Sequence, residues 1–401
     1  MSSFLPEEII ENILTRLPVK SISRFKCVSK NWYHFFQNPN FIKNHLNHAI
    51  QMKKFNILVT NQGDIDDTNT EPYITSIDYI VLPSTSSPFV GHALNIDYPY
   101  MDRKCKRQIL GSSNGLVCIQ PWGEESRTMC IWNPATREYK EVPEPSWKSK
   151  HGNFVYGFGF DCKNGDYKVL RFGSFILLGE ESEASVYSLA SSSWKKLGSI
   201  PYNFSFNITK GFLLDGVLHW VAVPIGPIPR SSVIVCYNIS DETFYNVPLP
   251  NENLSDVENI CMVYLGVWEG KLCLLHKNHM EEDPDTCTHQ NDHIEVWTMM
   301  DNKWSKDWKI TAHMADMEYV SAIQTLPNGE ILCDGGPMVD EDGIGLLAYD
   351  PNLERVRALK IHGFPECYDM ETYIETLTAL NSGTYVGEEV NQDREETENN
   401  G

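Results

Sequence analysis

The stretch "NGLVCI" at residues 114–119 introduces a pattern that extends through most of the chain. Asn-Gly favours a two-residue hairpin turn, and the apolar run that follows it predicts a buried strand. Comparable dipeptides that end in Gly recur at 164–165, 215–216, 269–270 and 328–329, and the last three are also followed by an apolar strand. One repeating unit therefore organises the chain from residue 114 onwards.

A second hairpin follows each of these turns. It begins with an aromatic residue and reads "WNPATREYKEVP", "YSLASSSWKKLGSIP", "YNISDETFYNVPLP", "WTMMDNKWSKDWKI" and "YDPNLERVRALKI" in successive units. The turn glycines lie 50, 51, 54 and 59 residues apart. A period near 50 with about four strands per unit is typical of kelch-type propeller blades, which stack around an axis to bury both of their faces.

The two ends of the repeat indicate how a ring could close. "FNILVT" at 55–60 and "ITSIDYIVLP" at 74–83 predict strands of an incomplete first blade, and "TYIETLTAL" at 372–380 is a strand left over at the other end. We predict that this last strand completes the first blade. The result is a β-propeller of about six kelch-like blades, closed by the C-terminal strand.

A small helical block precedes the propeller. "LPEEIIENILTRLP" at 5–18 has helical periodicity, but its apolar side chains cover roughly half of the helix circumference, more than one buried face needs. Residues 1–49 are too few to bury all their apolar side chains alone. Either the block packs on the propeller, or half of the stripe receives a partner in a helix-in-groove contact.

The fold class is therefore mainly β with a small all-α N-terminal domain. We predict a helical domain at 1–49, a propeller at 50–384 and an acidic, disordered tail at 385–401, since the tail is poor in apolar residues.

Charge and cysteine content narrow the classes of partner and compartment. The net charge of −21 disfavours nucleic-acid binding, which depends on Lys and Arg. No apolar run is long enough for a membrane span, and no signal peptide is visible. The 11 cysteines contain no Cys-x-x-Cys pair, which favours free thiols in a reducing compartment. We expect a cytoplasmic or nuclear protein that contacts neither nucleic acid nor membrane.

Catalytic motifs are scarce, and we expect no catalytic residue, no bound metal and no cofactor. The chain lacks the Gly-x-Ser-x-Gly elbow, the phosphate-binding loop and the His-Glu-x-x-His motif. One cluster could hold zinc if its loop folded back, although its spacing matches no standard module: His276, His279, Cys287, His289 and His293. A metal- or ligand-binding propeller, acting as a sensor or an enzyme through the 276–293 loop, stays an alternative. Capture of a glycan or small molecule by aromatic residues at the propeller mouth is another.

The helical block resembles the F-box. The segment "LPEEIIENILTRLPVKSISRFKCVSKNWYHFF" contains the Leu-Pro start, the Leu-Pro-Val-Lys-Ser step and the Cys-Val-Ser-Lys and Trp positions of that motif without gaps. The remainder is similar to the F-box-associated interaction domain of large plant F-box families. It carries, in the family's order, "NGLVCI", "WNPATREYKEVP", "GFGFD", "GVLHW" and "EVWTMMDN".

This resemblance implies a non-catalytic subunit of an SCF-type ubiquitin ligase. The F-box would dock on a Skp1-like adaptor and through it on cullin-1 and a RING protein, while the propeller would capture a target protein for ubiquitination and degradation. The substrate and its binding residues are not implied, because members of the family bind different targets through variable loops.

The adaptor-binding positions are carried over residue by residue. Those that match the motif are Leu5, Pro6, Ile9, Ile13, Leu14, Leu17, Pro18, Val28 and Trp32. Within this set the expected direct contacts are Leu5, Pro6, Ile9, Ile13 and Leu17. We expect Ile10, Phe25 and Trp32 to hold the helices together.

Overall fold

The computed structural model shows four helices followed by a ring of β-sheets. It describes residues 6–61, 73–78, 89–99, 106–122, 128–147, 153–174, 181–204, 210–226, 231–250, 263–278, 293–311, 317–326, 328–337, 346–362, 364 and 368–386. No helix in this described part is long and apolar enough to cross a membrane.

The four helices begin at residues that suit a helix N-terminus. They are α1 Glu7–Leu14, α2 Val19–Phe25, α3 Lys30–Phe36 and α4 Pro39–Gln51. Pro6 and Pro18 precede α1 and α2, while the side chains of Ser29 and Asn38 accept backbone N–H bonds at the starts of α3 and α4. The predicted all-α block therefore consists of four short helices.

Short strands make up most of the remaining described chain. In order they are β1 Asn56–Asn61, β2 Ile74–Asp78, β3 Phe89–His92, β4 Leu94–Ile96, β5 Lys106–Ser113, β6 Leu116–Trp122, β7 Met129–Trp132, β8 Tyr139–Val142, β9 Asn153–Asp161, β10 Asp166–Ser174, β11 Ser182–Ser188, β12 Ser193–Ile200, β13 Tyr202–Phe204, β14 Phe212–Leu214, β15 Val217–Pro224, β16 Val233–Asn238, β17 Thr243–Pro248, β18 Val263–Trp268, β19 Lys271–Asn278, β20 His293–Met300, β21 Lys303–Thr311, β22 Met317–Thr325, β23 Ile331–Pro337, β24 Leu346–Asp350, β25 Arg355–Ala358, β26 Lys360–His362 and β27 Tyr368–Tyr373.

These strands form the six blades of a propeller. Blade 1 has the order β27-β1-β2-β4, blade 2 contains β5 to β8, and blade 3 contains β9 to β12. Blade 4 contains β13 to β17, blade 5 contains β18 to β21, and blade 6 contains β22 to β25. Neighbouring blades contact one another through their inner strands, as β5 does with β27 and with β9. The predicted propeller of about six blades is confirmed, and the number is six.

The C-terminal strand closes the ring as predicted, but at a different position. β27 pairs antiparallel with β1, from Asn56 opposite Tyr373 to Asn61 opposite Tyr368. Closure therefore uses residues 368–373, and the predicted strand at 372–380 is wrong beyond Tyr373.

Side chains of blade 2 explain why the strand ends there. The amide of Asn133 donates to the carbonyls of Thr376 and Thr378 at 3.1 and 2.8 Å. The carboxylate of Glu138 accepts the backbone N–H groups of Leu380 and Ser382. Because these side chains satisfy the backbone of 376–382, that stretch needs no ladder partner.

The repeated dipeptides form the inner turns of the blades. Asn114 and Gly115 both have positive φ, 50° and 81°, as the two-residue hairpin turn requires. Glu269 and Gly270 repeat this geometry at 50° and 70°. Four of the five aromatic residues that begin the second hairpins are buried between blades, namely Trp132, Tyr187, Tyr237 and Tyr349, while Trp297 is partly buried.

The predicted domain limits at 49/50 and 384/385 stay predictions. Helix α4 ends at Gln51 and the first strand begins at Asn56. At the other end Tyr385 still pairs with Glu138, and the Val386 N–H donates to the Arg137 carbonyl at 2.9 Å. Residues 387–401 of the predicted acidic tail lie outside the described residues.

Candidate functional site

The helical block divides its apolar residues between a buried core and the surface. The core contains Leu14, Val19, Ile22, Phe36 and Phe41, with Ile10, Leu17, Phe25 and Trp32 packed against it. Trp32 is held between two rings, with centroid distances of 5.5 Å to Phe25 and 5.4 Å to Phe36. This core uses one half of the α1 stripe.

The other half of the α1 stripe faces outward. Ile9 and Ile13, one helical turn apart on α1, are 46% and 49% exposed. Val28, between α2 and α3, is 69% exposed, and Tyr33 on α3 is also exposed. We call Ile9 and Ile13 the α1 patch. A soluble helix normally turns its isoleucines inward, so this patch is an unusual feature of the block.

The predicted adaptor residues occupy three kinds of position. Pro6, Ile9, Ile13, Pro18 and Val28 are exposed. Leu14 is buried, and Leu17 and Trp32 are partly buried against the core, so these three contribute to the packing of the helices. Leu5 lies outside the described residues. Adaptor contact by these residues stays a prediction.

The helical block also shares its core with the propeller. Leu377, which follows the closing strand β27, is only 2% exposed and belongs to the same cluster as Leu14 and Phe36. The Lys53 ammonium lies 2.6 Å from the Glu269 carboxylate on the β18–β19 turn. Burial lowers the pKa of Lys26, and the nearby Glu138 carboxylate partly offsets this shift. These contacts fix the block on one face of the ring.

Packing of the block on the propeller was one of the two alternatives that the sequence left open, but the sequence did not identify Leu377 as the contact. Leu377 is separated from α1 by more than three hundred residues, and nothing in the local pattern couples them. The available signal was Glu138, a carboxylate inside the "WNPATREYKEVP" hairpin that proves to be 4% exposed. A charged residue at a buried position requires partners, and here they are backbone N–H groups of the C-terminal segment.

The His/Cys cluster is only partly within the described chain. His276 on β19 and His293 on β20 are buried in blade 5, and His293 Nε2 lies 3.4 Å from Glu295 Oε1. His279, Cys287 and His289 lie outside the described residues. Among the residues that the structure describes, no group of three or more metal-ligating side chains is found.

Burial raises the pKa of the Cys118 and Cys333 thiols far above the ordinary value. Among the acidic and basic side chains, Asp161 and Lys210 are strongly shifted, and both belong to ion networks between blades. Burial opposes ionisation of Asp161, but hydrogen bonds from Ser240, Asn164 and Lys168 outweigh it and hold the pKa of the carboxyl well below its usual range. Burial likewise disfavours the charge on Lys210, yet Asp369 and Glu371 raise the pKa of its ammonium above the ordinary value. Each of these charges is stabilised by an opposite charge and by hydrogen bonds. This pattern is typical of structural ion pairs and not of a catalytic acid or base.

Comparison with known proteins decides the family. The F-box domain matches residues 2–44, and the F-box associated beta propeller domain matches residues 73–382. The chain belongs to the plant F-box proteins. The resemblance seen in the sequence is thereby confirmed for both domains.

Relatives of this F-box protein match along nearly its whole length. F-box protein CPR1 of Arabidopsis thaliana is 24% identical over 93% of this chain and 88% of its own. F-box protein At3g07870 of the same plant is 24% identical, over 93% of this chain and 91% of its own. Among solved structures, TolB from Acinetobacter baumannii aligns with 84% of this chain and 73% of its own at a TM-score of 0.46 and 9% identity, which is too remote to bear on function.

Proposed function

We propose that this F-box protein is the substrate-recognition subunit of an SCF-type ubiquitin ligase. The F-box would dock on a Skp1-like adaptor, which connects it to cullin-1 and a RING protein, and the propeller would capture a target protein for ubiquitination and degradation. The observation that carries the proposal is the α1 patch, where Ile9 and Ile13 remain about half exposed on a helix that buries the adjacent Leu14. The family assignment of both domains supports it.

Burying the α1 patch in a partner would be favourable. Full burial of an isoleucine side chain is worth about 1.5–3 kcal/mol, so covering two half-exposed isoleucines contributes about 2 kcal/mol. Six basic against three acidic residues give the first 49 residues a charge of +3, while the whole chain carries −21. This local positive charge would favour approach to an acidic adaptor surface.

The propeller face away from the helical block is our proposed location for the substrate. Ile50, Lys53 and Phe55 line one cavity with Asn114 and Gly115, so the block sits on the side of the short inner turns. The strand ends on the other face are separated by longer stretches of sequence, 12 residues from β1 to β2 and 14 from β19 to β20. Long connections between strands commonly carry binding residues.

No chemical step is assigned to this protein. Its effect on ubiquitin transfer would be one of proximity, because the adaptor and the substrate are held on one rigid scaffold. We place it in the cytoplasm or the nucleus, whose reducing conditions suit the seven described cysteines, none of which is in a disulfide.

The test substitutes the α1 patch. Ile13→Asp puts a charge where an apolar contact is needed, and we expect co-purification of a Skp1-like adaptor to be lost while circular dichroism of the propeller is unchanged. Leu353→Asp is the matched control, because Leu353 is an exposed leucine on a turn of blade 6. Full adaptor binding by an Ile9→Asp, Ile13→Asp double variant would refute the proposed docking.

A further inference from the structure

A narrow groove lies on blade 3, at the end of the blade that points away from the helical block. Its walls include Trp147, Phe154, Arg171, Glu183, Lys196 and Gly198. We infer that this blade 3 groove binds the carboxylate of an acidic side chain from a protein that the propeller captures. The inference rests on the proposed function in assigning that protein as a substrate.

Arg171 supplies a fixed positive charge in the groove. The residue is only 7% exposed, and its guanidinium carbon lies 4.5 Å from the ring centroid of Phe154 and 5.2 Å from that of Trp194. The two rings stabilise a cation that would otherwise be costly to bury. A guanidinium held in this way is preorganised for a carboxylate, since little side-chain entropy is lost on binding.

Lys196 adds a second cation from the outer strand. Its ammonium lies 5.0 Å from the ring centroid of Trp147, and its side chain is exposed. Glu183 contributes one carboxylate to the same lining. Two cations and one anion leave an excess of one positive charge, which matches a monoanionic carboxylate; a phosphate dianion would leave a net negative charge beside Glu183.

The size of the groove indicates a side chain rather than a free small molecule. Its volume of about 110 Å³ is well below the ~300 Å³ at which drug-sized ligand sites begin.

The surrounding residues favour a protein as the source of that side chain. Trp147 and Phe154 line the groove and are partly exposed, as is Trp194, whose ring contacts Arg171. Tryptophan and arginine are the residues most enriched at the energetic centres of protein interfaces. The combination of rings and a net positive charge is also distinctive in a chain whose overall charge is −21.

The test uses two short peptides on the full-length protein. Acetyl-Gly-Ser-Asp-Ser-Gly-amide is titrated into protein labelled with fluorotryptophan, and fluorine NMR follows Trp147 and Trp194, whose signals are assigned by Trp147→Phe and Trp194→Phe. We expect saturable shifts of both signals with this peptide and none with its Asn counterpart. Lys196→Glu should weaken binding about tenfold, because a charged hydrogen bond is replaced by repulsion.

The control is Lys303→Glu, which makes the same charge change at an exposed lysine of blade 5. If Lys303→Glu weakened binding of the Asp peptide as much as Lys196→Glu does, the effect would come from overall charge, and the proposed site would be wrong. Absence of any shift, or equal binding of the Asn peptide, would also overturn it, and tighter binding of the phosphoserine counterpart would overturn the carboxylate assignment. Adaptor co-purification is measured on the same samples, so failure of the groove and failure of F-box docking are distinguishable.

Discussion

Asp161 shows how a single carboxylate joins two blades. It lies at the end of β9 and accepts hydrogen bonds from Ser240 of blade 4 and from Asn164 of its own turn. The Lys168 ammonium is 3.0 Å away and also binds Glu242 at 3.0 Å. Since Asp161 and Lys168 are buried, each charge depends on the other for stabilisation.

We expect Asp161→Asn to lower the free energy of unfolding by about 3 kcal/mol at neutral pH, because a buried ion pair loses one partner. In the folded protein the pKa of Asp161 is lowered from 3.8. The ionised carboxylate therefore stabilises the fold above pH ~4, and this stabilisation is lost as the pH falls below that value. Denaturant unfolding across pH 7 to 3 measures both effects. The difference between wild type and variant should shrink toward the acid end, and a constant difference would contradict this account.

At the scale of elements, closure of the ring depends on one strand and one lysine. Lys210 precedes β14 in blade 4, and its ammonium lies 3.0 Å from Glu371, 3.4 Å from Asp369 and 2.9 Å from the Met370 carbonyl, all on β27. These bonds cross the central channel and hold the closing strand from its inner side. The remaining edge of β27 is held by its ladder with β1.

Lys210→Met should loosen the closing strand, because it leaves the partly buried carboxylates of Asp369 and Glu371 without their shared cation. We expect a loss of about 2 kcal/mol, between the values for surface and buried ion pairs. Hydrogen exchange of the amides in residues 368–373 measures the change. Lys163→Met is the control, since both side chains of the Lys163–Asp241 pair, 3.1 Å apart, are exposed and the pair should contribute under ~1 kcal/mol. Unchanged protection of β27 in Lys210→Met would show that the ladder alone closes the ring.

The elements also show what sequence could predict. The inner turns and buried aromatics are local signals, so the positions around Asn114 and Trp132 were sufficient to predict repeated blades and their number. The extent of the closing strand was not predictable, because it depends on Asn133 and Glu138 of another blade. On α1, the periodicity showed more apolar residues than one buried face needs. It could not distinguish the exposed Ile9 and Ile13 from the buried Leu14.

At the scale of the whole molecule, the helical block and the propeller pack together through a shared apolar core. The core of the helical block includes Leu377, and the Lys53–Glu269 pair adds a second contact at the ring. An adaptor bound to the α1 patch would therefore be held at a fixed orientation relative to the propeller. Such rigidity lowers the entropic cost of bringing two bound proteins together.

Leu377→Ala tests whether the helical block depends on the propeller for its stability. A buried leucine replaced by alanine costs about 3 kcal/mol, and because Leu377 packs against the helical core we expect faster hydrogen exchange in α1 and α3 as well as in the C-terminal segment. Leu353→Ala, at an exposed leucine, should change neither. If exchange in the helices stayed at the wild-type rate, the block would be stable without the propeller.

The place of Leu377 in the chain has a consequence for synthesis. The helical block leaves the ribosome first, but the leucine that completes its core is translated 326 residues after Gln51. At about 5–20 residues per second the interval is roughly 20 to 60 seconds. The same late segment closes the ring, so a product of premature termination lacks both a finished helical core and a closed propeller. If Leu377→Ala destabilises the helices as expected, translation through residue 377 is a condition for a stable F-box.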